Sequence, residues 1–177
     1  MKRTSFTEKS CSIARTLDLI GEWWTPLILR DIFMGIRRFE PLLNHIGISR
    51  NILTDRLQTL VDNEILERRQ YQQNPDRYEY WLTERGTDLF PIFAAVIAWG
   101  DKWLHAETGV PVELVHQECG EVTKPTVVCS KCNGEITLGN IRGRKGPSGD
   151  PAEWEAIGRA RAQSKASENF VAKSGKK

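Results

Sequence analysis

Residues 41–83 read PLLNHIGISRNILTDRLQTLVDNEILERRQYQQNPDRYEYWLT, and the fold is decided there. Gly47 suits the left-handed end of a first helix. Ser49 can cap a second helix by accepting an orphan backbone N–H. Across residues 49–62 the apolar positions are Ile52, Leu53, Leu57, Leu60 and Val61. At about 100° per residue they share one side of the helix. The opposite side carries Asn51, Thr54, Asp55 and Gln58. Such side chains either read base edges in a DNA groove or simply form a solvated helix face.

The segment that follows favours the first alternative. Residues 64–71 and 77–82 are strand-like, and Asn74-Pro75-Asp76 between them is a strong turn. Tyr78, Tyr80 and Leu82 alternate with Glu79 and Trp81, so one face packs and the other is exposed. Arg68, Arg69 and Arg77 then sit where phosphate contacts are expected. Two short helices followed by a charged hairpin are the layout of a winged helix-turn-helix. The expected class is α+β, mainly helical, with a hairpin wing, a small C-terminal ribbon-like appendage and a flexible tail. Ser49 and Arg50 are expected to meet phosphates. Asn51, Thr54 and Gln58 are expected near base edges.

Arg56 falls between Ile52 and Leu60, on the apolar side. A structural ion pair is the expectation, since an unpaired buried charge is costly; a phosphate contact from the helix flank is the alternative. Elsewhere, Thr25 is a candidate N-cap with Pro26 at the first helical position, and Gly35 should end that helix. Thr83 should cap another helix through Leu89, which Pro91 kinks or divides. Ile92, Phe93, Val96, Ile97, Trp99, Trp103 and Leu104 follow. Part of that apolar surface is either ordinary core or, the expectation here, the cover for a dimer partner.

Residues 11–103 closely resemble the HxlR-type winged-helix regulators of bacteria, which are related to MarR. The matching elements are Cys11-Ser-Ile-Ala-Arg-Thr-Leu-Asp-Leu-Ile-Gly21, Trp24-Thr-Pro-Leu-Ile-Leu-Arg-Asp31 and Arg37-Arg-Phe39. They continue through Gly47-Ile-Ser49, Leu53-Thr-Asp-Arg-Leu57 and Arg77-Tyr-Glu-Tyr-Trp-Leu-Thr83, and close at Trp99-Gly100. The resemblance implies a homodimeric transcription regulator on a roughly palindromic operator of double-stranded DNA. It departs from the pattern at Arg50, where many such sequences carry Pro. The resemblance also places Cys11 where some relatives sense oxidants or electrophiles, which implies a redox or small-molecule effector. Its position near Lys9 and Arg15 at a helix start favours thiolate. Packing of a small cysteine at a dimer interface is the alternative.

Three further cysteines lie beyond the winged helix. His116-x2-Cys119, nine residues, then Cys129-x2-Cys132-Asn-Gly supplies an imidazole and three thiols at the spacing of a zinc ribbon. Residues 126–128 and 135–138 are its expected strands. Four protein ligands leave no open position, so a structural zinc is expected; metal-free reduced thiols are the alternative. His45 and His105 read as helix-end residues.

The expected division is 1–110 for DNA binding and dimerisation, 111–141 for the ribbon-like appendage and 142–177 for a basic tail. That tail holds nine Lys/Arg against four Asp/Glu, so the remaining chain is net −3 although the whole is +2. The DNA surface must therefore be local. A short helix is expected from Asp150-Pro151-Ala152-Glu153, and disorder from Ser164 onward. No apolar run is long enough to span a membrane, and Met1-Lys2-Arg3 leads into no signal-peptide core. A cytoplasmic protein is expected. No nucleophile–base pair, phosphate loop or open metal site indicates an enzyme. The rival function is protein interaction through the ribbon-like segment.

Overall fold

The computed structural model describes residues 5–6, 8–105 and 109–174. The elements in chain order are α1 (Ser12–Ile20), α2 (Thr25–Phe33), α3 (Phe39–Ile46), α4 (Arg50–Asp62), β1 (Leu66–Gln72) and β2 (Arg77–Leu82). Then come α5 (Glu84–Thr87), α6 (Phe90–Leu104), β3 (Leu114–Val115), β4 (Val122–Thr123) and α7 (Pro151–Ser174). The chain forms two compact units, one of Thr16–Glu135 and one of Met1–Arg15 with Ile136–Lys177. The ribbon-like segment up to Glu135 therefore belongs with the winged helix.

The core of the larger unit comes from α2, α3, α4 and the start of β1. Ile28, Leu29, Leu42, Leu53, Leu57, Leu60, Ile65 and Leu66 are essentially fully buried. Leu53, Leu57 and Leu60 are spaced so that one face of α4 enters this core and the other faces solvent. Ile52, expected on the apolar side, is 37% exposed, because it sits at the edge of that arc. β1 and β2 form an antiparallel hairpin in the register Leu66↔Leu82 to Gln70↔Tyr78, with an irregularity before Gln72↔Arg77. Tyr80 and Leu82 pack on the core. The chain before α3 adds a fringe to the hairpin: the Tyr80 amide donates to the Arg37 carbonyl at 2.8 Å, and Arg38 bridges Glu79 antiparallel.

Local punctuation follows the sequence in most places. Gly47 ends α3 at φ 73°, ψ 27° with its amide bonded to the Leu43 carbonyl. Ser49 caps α4 by accepting from the Ile52 amide at 3.3 Å. Thr83 caps α5 through the Gly86 amide at 3.1 Å and also donates to the Ile65 carbonyl at 3.3 Å. Gly86 allows this close approach: a Cβ there would lie 2.2 Å from the Ile65 carbonyl oxygen. The Thr83 helix is a single turn, and Pro91 stands in the first turn of α6. Proline lacks an amide proton, and that turn is where none is needed.

Thr25 is not the N-cap of α2. It is the first helical residue, preceded by Trp24 without a side-chain cap bond. Its side chain is drawn into the core, at 3% exposure, and its amide donates to the Glu22 carbonyl at 2.9 Å. In the smaller unit, Ser10 donates to Glu153 at 2.9 Å. α7 runs from Pro151 through Ser174, beyond the short helix expected. Its residues 152–163 are rich in Ala, Glu, Arg and Gln, all strong helix formers. Expected disorder from Ser164 is thus replaced by helix as far as Ser174; the last three residues lie outside the described set. The expected ribbon strands reduce to one bridge, Val128↔Glu135, with the β3–β4 hairpin upstream.

One buried carboxylate ties α2 to α3. Asp31 is 0% exposed. It accepts from Arg30 Nε at 2.8 Å and stands 2.6 Å from His45 Nδ1. His45 thus has a partner that its place at the helix end did not indicate. Asp31→Ala is expected to destabilise the fold by about 2–3 kcal/mol, because both partners lose a charge-assisted bond but can rehydrate. Chemical denaturation checks this; a midpoint equal to the parent's would remove Asp31 as a tie.

Candidate nucleic-acid interface

α4 presents Asn51, Thr54, Asp55 and Gln58 on its exposed side, opposite Leu53, Leu57 and Leu60. Ser49 and Arg50 stand at its N-terminal end, where backbone amides and the helix dipole favour a phosphate. Several of these side chains are already engaged. Arg50 donates to both oxygens of Glu40 on α3, at 2.7 and 3.1 Å. Thr54 donates to the Arg50 carbonyl at 2.9 Å, leaving its methyl and an acceptor lone pair outward. Gln58 donates to Asp62 at 2.6 Å. The Arg50 hydrogen bond, with the charges of Arg50 and Arg77, holds the Glu40 carboxyl below the usual carboxylate range.

The hairpin and the chain before α3 carry the cations, four of them set against aromatic faces. Arg37 lies 3.5 Å over the Trp81 ring and Arg69 lies 4.5 Å from the same ring. Arg38 stands 4.2 Å over Tyr71 and pairs with Glu79 at 2.8 Å. That bond, then the Trp81 indole N–H and the charges of Arg38 and Arg37, lowers the Glu79 carboxyl. Arg68 lies 5.0 Å from the Tyr78 ring. Arg69 also pairs with Glu67 at 2.6 Å. Stacking restrains each guanidinium while leaving N–H donors in its plane for phosphate oxygens.

Arg37 and Arg38 were not among the residues expected at the wing. The adjacent pair is visible in the sequence, but its place beside β2 depends on pairing across about forty residues. Arg56 behaves as expected of a structural residue. It is about one-fifth exposed and lies 3.8 Å from Glu22, whose buried Oε2 makes no hydrogen bond among the described residues.

The remaining candidates stand apart from this surface. Cys11 is exposed immediately before α1. His105 ends α6 as expected. His116 Nδ1 lies 3.4 Å from Cys119 Sγ. Cys129 and Cys132 form a second pair, in which the Lys131 amide, then the Cys132 amide and thiol, lower the Cys129 thiol below its usual range. Among the described residues no group of three or more His, Cys, Asp or Glu is gathered as a metal cage. The donor chemistry fits zinc; the two pairs remain separate halves.

A capped helix with a polar outer face, beside a cationic hairpin on the same core, defines a winged helix-turn-helix DNA-binding protein. The chain belongs to the HxlR-like helix-turn-helix family, which it matches over residues 19–108. It is 43% identical over 136 residues to an uncharacterised HTH-type transcriptional regulator of Mycobacterium tuberculosis, covering 77% of this chain and 86% of that one. It is 37% identical over 86 residues to the HTH-type transcriptional regulator YodB of Bacillus subtilis, covering 48% of this chain and 77% of YodB. Among solved structures, the candidate transcription factor PA1607 superposes with a TM-score of 0.73 at 31% identity, over 81% of this chain and all of that one. The redox regulator HypR in its reduced form gives a TM-score of 0.50 at 32% identity, over 52% and 92% of the two chains. The protein is a transcriptional regulator with a helix-turn-helix DNA-binding domain, and not an enzyme. Among the described residues no helix is long and apolar enough to cross a membrane.

Replacing Arg37, Arg69 or Arg77 with Ala should weaken binding to every duplex alike and reduce the salt slope by about one for each phosphate no longer neutralised. Arg56→Ala should instead lower stability by about 1 kcal/mol, read as a thermal shift. An Arg56→Ala protein that melts like the parent but loses DNA affinity would move Arg56 to the interface.

Proposed function

We propose that this regulator binds a roughly palindromic operator as a homodimer, with α4 in the major groove and the hairpin on the backbone. Asn51, Thr54 and Gln58 lie near base edges, and each well-made contact contributes about 1–3 kcal/mol of discrimination. Gln58 must first turn from Asp62, or offer its carbonyl oxygen instead. Ser49 and Arg50 meet phosphates at the start of α4. Arg68, Arg69 and Arg77, joined by Arg37 and Arg38, follow the backbone.

The observation that carries the dimer is the outer face of α6. Ile92, Val96, Trp99 and Trp103 are 48%, 63%, 60% and 62% exposed. Their spacing of four, three and four residues is the seam of a helix that packs against another helix. An uncovered stripe of two tryptophans and two β-branched residues is uncommon on a monomer. A second copy of α6 offers the same stripe, and two-fold symmetry around it sets two recognition helices one DNA turn, ~34 Å, apart.

Val96→Glu and Trp99→Glu place a carboxylate in that seam. Each should sediment as a monomer at micromolar concentration and bind a two-half-site operator ~10²-fold more weakly than the parent, through lost bivalency. A parent that is itself monomeric, or a footprint over a single unrepeated half-site, would sink the proposal. The upstream DNA of the protein's own gene is the duplex to try first.

A further inference from the structure

The segment after α6 contains the same backbone turn twice. In the first copy, His116-Gln-Glu-Cys119-Gly120-Glu121, the Gly120 amide donates to the His116 carbonyl at 2.8 Å and the His116 amide to the Glu121 carbonyl at 2.9 Å. In the second, Cys129-Ser-Lys-Cys132-Asn133-Gly134, the Asn133 amide donates to the Cys129 carbonyl at 2.9 Å and the Cys129 amide to the Gly134 carbonyl at 2.8 Å. The residue after each second ligand is left-handed, Gly120 at φ 74° and Asn133 at φ 57°. Antiparallel pairing flanks both copies: Leu114↔Thr123 and Val115↔Val122 around the first, Val128↔Glu135 around the second.

This turn folds the chain back so that its first and fourth side chains meet. In the first copy the imidazole Nδ1 and the thiol sulfur are 3.4 Å apart. Bond lengths of 2.0–2.1 Å to nitrogen and 2.3 Å to sulfur give a tetrahedral zinc an N···S edge of about 3.6 Å. In the second copy the matching backbone bonds set Cys129 and Cys132 at the same first and fourth positions of the turn. The nine residues between Cys119 and Cys129 could reach ~30 Å if extended, so their length does not prevent the halves from meeting.

We propose that the two turns are the paired knuckles of one structural zinc site, with His116, Cys119, Cys129 and Cys132 as its ligands. Each turn is a bidentate half, and the ion holds the halves together. Three sulfurs and an imidazole select zinc over magnesium or calcium. Four protein ligands leave no position for substrate or activated water, so the site closes the appendage and performs no chemistry. The repeat also explains the left-handed Asn133, which stands where the first copy has glycine.

The test uses the full chain, purified without an affinity metal or chelator. Elemental analysis should find one zinc per chain. Cobalt(II) added after zinc removal should give the intense visible bands of a tetrahedral ion and the near-ultraviolet bands of sulfur-to-cobalt charge transfer. Cys119→Ser and Cys129→Ser should each lose most of the bound zinc, whereas Cys11→Ser should keep it. Circular dichroism shows whether the variants remain folded; if one does not, the parent's metal content and cobalt spectrum still decide. A zinc content near zero, with all three thiols reacting freely in added zinc, would overturn the proposal. So would one zinc per two chains, zinc retained in both serine variants, or a weak octahedral cobalt spectrum.

Discussion

The recognition surface depends on how firmly one face of α4 is sunk. Leu53, Leu57 and Leu60 are at most 1% exposed, and each fully buried leucine is worth about 1.5–3 kcal/mol. Rotating α4 by even one residue would carry these side chains into water and the polar face inward. The left-handed Gly47 and the Ser49 cap set where the helix begins, and the leucines set how it is turned. Asn51, Thr54 and Gln58 face outward because of that burial.

Three of the cations around this helix and the hairpin are paired with carboxylates within the chain. Arg50 is held by Glu40, Arg38 by Glu79, and Arg69 by Glu67. Such exposed pairs contribute little to stability, roughly 0–1 kcal/mol each. They therefore orient the guanidiniums while costing little to separate. This agrees with residues 1–141 being net −3. A protein so neutralised relies on local geometry more than on overall charge, and its affinity should vary less with salt than that of a strongly basic domain.

α6 packs on the core of the larger unit through Phe93 and also meets the appendage. Its outer stripe of Ile92, Val96, Trp99 and Trp103 is open. On another side, Ile97, Ala98 and Asp101 line a cleft with Leu114, Val122 and Lys124 of the appendage. This helix thus touches both the DNA-binding core and the appendage.

Short-range chemistry made much of the fold legible. Gly47, Ser49 and Thr83 act on amides within a few residues, so their roles follow from local sequence. The leucine spacing of α4 and the alternation of β2 depend on regular periods, and the hairpin turn on Asn74-Pro75-Asp76. Those features were enough to indicate the fold and which side chains of α4 face outward. Long-range contacts were not legible. Nothing adjacent to Asp31 indicates that it is buried against His45, and nothing beside Arg37 indicates stacking on Trp81. Thr25 misled because a threonine before proline resembles a cap until the core draws it in. The sequence by itself thus determined where the elements begin, which faces are apolar and which residue types lie outward. Only the tertiary structure decided which arginine meets which ring or carboxylate, because most of those contacts join residues ten or more positions apart, whose proximity the packing of α2, α3, α4 and the hairpin creates.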